Sequence, residues 1–258
     1  MCCFSGEVQE VSNTQIFARP QGNKQVIVYS LKLSAKDDLA MVLPIPVPAK
    51  SAEDAVRFVN LEEYPELFKD LDQGFPQLPA QKLLDRSKRH LAEGQEQLEV
   101  VRVGAYEASF VPGLADFSRL DARFRVPDAA WRQLPQYADW GFAVFKLRKG
   151  TQQEVHPMAF WFPTRHPDRV FFPTVHIHDG TAPKEARFDH ALYCQLPTTG
   201  LMMARDPGFA TNWRESDQPA QFFVDMKKAG KLIQGADHVY RRFVRETRKN
   251  EDVVLSLA

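Results

Sequence analysis

The sequence predicts an α+β protein, mainly antiparallel β, with two sheet-bearing halves and a few short helices. Three observations lead there. Runs of β-branched and aromatic residues recur at strand length, turn-forming residues separate them, and amphipathic helical spacing is confined to a few stretches. The chain has 258 residues, of which 44% are hydrophobic and 11% aromatic, enough to fill a sizeable core. It reads as a single compact unit over residues 1–258, with a candidate subdomain boundary near residues 75–97.

Taken in order, "TQIFAR", "KQVIVYSLKL" and "DLAMVLPIPV" read as an antiparallel meander, with "PQGN" and "SAKD" as the turns. Pro44, Pro46 and Pro48 lack N–H groups, so this stretch suits a sheet edge or an extended exit. A helix is expected over "SAEDAVRFVNLEEYPELFKDLDQGF". Ser51 stands three residues before Asp54 in a capping-box-like start, and Leu61, Tyr64, Leu67, Phe68 and Leu71 follow at helical spacing. Pro65 splits this helix or opens a second one.

The stretch from Phe75 to Gln97 is polar and basic, as in "RSKRHL" with His90, and fits an exposed connection. Beyond it come a strand at "LEVVRVGAYEASF" and a short helix at "PDAAWRQL". "WGFAVFKLR", "VHPMAFWFP", "RVFFPTVHIH" and "ARFDHALYCQL" form the second sheet. A helix at "QPAQFFVDMKKAG" and a final hairpin of "VYRRFVRE" with "EDVVLSL" complete the chain.

Charge narrows the function. Lys plus Arg and Asp plus Glu are balanced at 33 each, so no basic surplus calls for a nucleic acid or an anionic membrane surface. No apolar run approaches the roughly 18 residues of a spanning helix, and the amino end lacks a signal-peptide pattern. A cytoplasmic location is the expectation, with reduced thiols. The local signatures of nucleotide-binding loops, zinc metallopeptidases and serine hydrolases are absent.

The residues that remain are histidines and cysteines. Five of seven histidines fall between His156 and His190. His176 and His178 in "VHIHDG" share one face of a strand, and His190 and Cys194 in "FDHALYCQ" share one face of the next. A hairpin closed by "DGTAPKEA" brings the three imidazoles together, with Cys194 further along and Asp179 and Asp189 placed to orient ring N–H groups.

Cys2 and Cys3 directly behind Met1 add soft sulfur ligands, and Met202 and Met203 are further soft donors. Imidazole with thiolate favours copper, then zinc, over oxygen-seeking ions, and no Cys-x-x-Cys pair supports a zinc ribbon. The expected function is transition-metal binding through Cys2, Cys3, His176, His178 and His190. The expected cofactor is a copper ion, with zinc as the alternative. A Cys/His copper site can cycle between oxidation states, so a copper-dependent oxidoreductase acting on a small-molecule substrate is included.

The stretch from "MC" to "IFAR" resembles the amino end of the N-terminal cysteine hydrolases of the bile-salt and penicillin acylase type. The resemblance implies an amide hydrolase in which the freed Cys2 is the nucleophile, its α-amine the base, and Arg19 a support for the thiolate. It covers under a tenth of the chain and departs at "PQGN", where those enzymes carry an Asn and an acidic residue. "YSLKLSAKDDLAMVLPIPVPAKSAEDAVRFV" is similar to an uncharacterised bacterial family with an early Cys-Cys and an L-P-x-P segment. That likeness implies fold and no activity.

Overall fold

The computed structural model describes residues 3–76, 101–103, 106–177, 180–196 and 212–257. Two sheets stack face to face. One has five strands in the order β1 (Cys3–Phe4), β4 (Leu39–Ile45), β8 (Gly141–Leu147), β7 (Tyr106–Val111) and β6 (Val101–Val103). The other has seven, in the order β13 (Arg214–Glu215), β14 (Tyr240–Val244), β12 (His190–Cys194), β2 (Glu10–Gln21), β3 (Lys24–Ala35), β9 (Gly150–Pro163) and β5 (Arg57–Val59). Two small pairs join β10 (Arg169–Phe172) to β16 (Val253–Ser256), and β11 (Glu185–Arg187) to β15 (Thr247–Lys249). Among the described residues every ladder is antiparallel except that between β12 and β2. The mainly antiparallel reading therefore holds.

The period of two along each strand decides what lies in each layer. Ile16 and Ala18 of β2, Ile27, Tyr29, Leu31 and Leu33 of β3, and Met158, Phe160 and Phe162 of β9 face inward. They meet Leu39, Met41, Leu43 and Ile45 of β4 and Phe145 of β8 in the central core. The alternate residues Phe17, Val26, Val28 and Tyr193 face the other way, under α1 (Leu67–Gln73) and the segment from Ala220 to Val239, which includes α3 (Met226–Ala229). Behind the five-stranded sheet, Ala40, Val42, Phe142 and Val144 meet α2 (Asp128–Trp131) and short 3-10 turns carrying Phe117, Phe124 and Tyr137. Both sheets are buried on both faces, which is why β3 and β4 read as near-continuous apolar runs.

Local chemistry accounts for several joints. Gly22 takes φ +58° in the two-residue turn between β2 and β3, a left-handed conformation that favours glycine. Pro44 sits within β4, but the neighbouring β1 pairs only with Met41 and Val42, so its missing N–H faces no ladder on that side.

Four expectations change. The helix from Ser51 is confined to α1, because the Ser51 hydroxyl donates back to the Pro48 carbonyl and Phe58 enters β5 to pack on Phe145 and Phe160. The carboxy-terminal hairpin does not form; β14, β15 and β16 each pair with a different earlier strand. The proposed 176–194 hairpin is replaced by β12 lying between β2 and β14. Each sheet also draws strands from both halves of the sequence. The boundary near 75–97 falls outside the described residues, apart from Phe75 and Pro76.

Candidate functional site

The segment from Thr174 to Ile177 is extended yet joins no ladder except a single bridge from Ile177 to Cys3. Side chains from the end of the chain satisfy its backbone instead. Asn250 accepts from the His176 N–H at 2.8 Å and donates to the His176 carbonyl at 2.8 Å, doing with one carboxamide what a neighbouring strand residue would do. Asp252 accepts from the N–H groups of Thr174 at 2.8 Å and Val175 at 3.1 Å, and from the Tyr137 hydroxyl at 2.5 Å. Burial pushes the Asp252 carboxyl up to about 6, against the downward pull of these three donors.

This clamp fixes His176 against Phe188 and His190. The His176 and His190 ring centroids are 5.5 Å apart, and both residues are only 1% exposed. Phe188 packs on His176 at 4.5 Å and on His190 at 5.3 Å. His190 shares its strand face with Leu192 and Cys194, as the alternation requires; Cys194 is fully buried in the central core, which raises its thiol pKa well above the ordinary range. Asp189 projects the other way and pairs with Arg245 at 3.3 Å.

The amino-terminal strand does lie beside this segment. Cys3 bridges to Ile177, and its thiol is directed at the Val175 carbonyl, 3.9 Å away, within the layer behind the five-stranded sheet. Phe4, next in sequence, faces the central core. Met1, Cys2, His178, Asp179, Met202 and Met203 lie outside the described residues. Among the described residues no group of three or more His, Cys, Asp or Glu side chains could hold a metal ion.

Arg19, the expected support for the Cys2 thiolate, is among the described residues, whereas Cys2 is not. Arg19 lies in the seven-stranded sheet, donates to the carbonyls of Leu232 at 2.9 Å and Lys231 at 2.6 Å, and stacks over Trp161. Asn250, Asp252 and Tyr137 carry the clamp, yet nothing in "KNEDVV" or "PQYADW" marks them in the sequence. Their roles depend on contacts spanning 74 to 115 positions of sequence.

The architecture defines a class: two stacked, mainly antiparallel sheets with thin helical layers outside, tied together by buried polar side chains. No family model matches the chain, and no curated protein matches it. Among solved structures it is similar to baculovirus P35, at 16% identity and a TM-score of 0.51, covering 99% of each chain. It is also similar to a mutated baculovirus P35 solved after caspase cleavage, at 16% identity and a TM-score of 0.50, covering 96% of this chain and 100% of that one. At these identities the likeness is one of fold.

Proposed function

We propose that the protein acts by binding a peptidase of the caspase class and offering it a peptide bond. The observation that carries this reading is the fold shared end to end with P35, one form of which was solved after caspase cleavage. The stretch between Pro76 and Val101 contains one aspartate, Asp85 in "KLLDRSK", the residue type after which caspases cut. Two sheets buried on both faces supply a packed scaffold of the kind on which binding segments are carried.

The test is incubation of the full chain with purified active caspases, followed by intact-mass analysis and residual peptidase activity. The expected result is a single cut after Asp85, blocked by Asp85→Ala, with caspase activity falling as the protein is added. An uncut chain and undiminished activity at equimolar protein for every caspase tried would remove the reading.

A second reading, transition-metal binding with copper preferred to zinc, draws on the approach of His176 and His190. Two imidazoles bound to one ion at about 2.0 Å have ring centres about 5 to 6 Å apart, the range in which this pair lies. Elemental analysis of protein grown with added copper and zinc decides it. Less than about a tenth of an equivalent of any transition metal, where a structural site would bind tightly, ends it.

A further inference from the structure

The row Arg241, Phe243, Arg245 has the i, i+2, i+4 spacing that places side chains on one face of a strand. Here they run along β14 and just past it, over the end of the seven-stranded sheet that the layer containing α1 leaves open. Opposite Phe243 in the ladder is Ala191, whose small side chain leaves room. The result is a cleft of about 450 Å³ that also reaches Phe75 and Tyr193, a volume in the range of small-ligand sites. A second hollow shares Asn13, Ala191 and Arg245 with it and adds Lys32 and Asp189.

Arg241 is built into the cleft wall. Its side chain is 7% exposed and is stacked between Phe75 at 4.3 Å and Phe243 at 4.7 Å. A guanidinium has five N–H donors, yet among the described residues this one has a single hydrogen-bond acceptor, Asp72 at 2.9 Å, and its buried Nε has none. Asp72 is itself held by the Tyr193 hydroxyl at 2.6 Å. Arg245 stacks on Phe243 at 4.4 Å, with its side chain 64% exposed. Phe243 remains 42% exposed between the two cations, a large apolar residue left at the surface.

We infer that this cleft binds a carboxylate attached to an apolar or aromatic group. The buried, under-accepted guanidinium supplies the planar donor fork that a carboxylate matches, and Phe243, Phe75 and Ala191 supply the apolar wall. Among the described residues lining the cleft, Arg241 and Arg245 are the cations and Asp72 the acid. The carboxylate can come from a free small acid or from an acidic side chain of a peptide.

The experiment is calorimetric titration of the full chain with phenylacetate, with phenylacetamide, and with the capped dipeptide N-acetyl-phenylalanyl-glutamyl amide. Saturable binding of an acid at a Kd of about 1 mM or tighter, absent for the amide, is expected. Binding of both acids assigns the site to free acids, and binding of the dipeptide alone assigns it to a protein segment. Arg245→Gln and Phe243→Ser alter exposed side chains and keep the fold, and each is expected to weaken binding by about 10-fold. Neither acid binding, phenylacetamide binding as well as phenylacetate, or full binding by both variants would overturn the inference.

Discussion

Asp252 is a buried carboxyl whose three donors come from two separate segments, and its titration ties the fold to pH. Its pKa is raised from 3.8 to about 6 by burial. The folded protein therefore holds this proton at pH values where the unfolded chain has lost it. The stability linked to the group is fully present below pH 3.8 and is lost as pH rises through about 6. The shift corresponds to about 3 kcal/mol. Asp252→Asn removes the titration and retains an acceptor for the Thr174 and Val175 N–H groups. Thermal melts of both proteins from pH 4 to pH 7 are expected to diverge through this window, with the wild type losing stability relative to the variant as pH rises. Parallel curves would contradict the assignment.

At the scale of single elements, β1 is the sharpest case, since two residues serve two layers. Phe4 enters the central core and Cys3 the layer behind the five-stranded sheet, each 1% exposed. Phe4→Ala should cost about 3 to 5 kcal/mol, the range for deleting a buried phenyl ring. Cys3 should resist alkylation in the folded protein, as should Cys194, and each should label at the rate of unfolding. Peptide mapping after a timed pulse of iodoacetamide reads both; rapid native labelling of Cys3 would show that β1 is not packed as described. Gln25 has a comparable role between elements: fully buried in β3, it donates to the Phe171 carbonyl at 2.6 Å and accepts from the Phe171 N–H at 3.1 Å. Gln25→Leu leaves both Phe171 groups without these partners and is expected to cost about 2 to 4 kcal/mol in urea unfolding.

For the whole molecule, the interleaving of the two sheets sets cooperativity. β2 and β3 from the start of the chain lie between β12 and β9 from its second half, and β4 pairs with β8. Neither half can cover its own sheet faces. Residues 1–76 and 101–258 expressed separately are each expected to lack a cooperative melt and to bind a hydrophobic dye, whereas the full chain melts in one transition. A cooperative melt of either fragment would restore the division into two halves.

Much of the strand pattern was legible because it depends on local alternation. β2, β3, β4, β8 and β12 fall where β-branched and aromatic runs predict them, and Gly22 marks its turn. The shared face of His190 and Cys194 follows from the same period of two, and so does the Arg241, Phe243, Arg245 row. Which strands become neighbours was not legible, since pairing is decided by how both faces of two sheets are covered at once. That global requirement put β12 in ladders with β2 and β14 instead of in a hairpin with the strand of His176, and drew the last strands apart to three different partners. The sequence by itself determined the strands and the faces their side chains take, through backbone geometry that acts over neighbouring residues. Only the tertiary structure decided that Asn250 and Asp252 would hold His176 beside His190, because those hydrogen bonds exist only once distant segments are desolvated together.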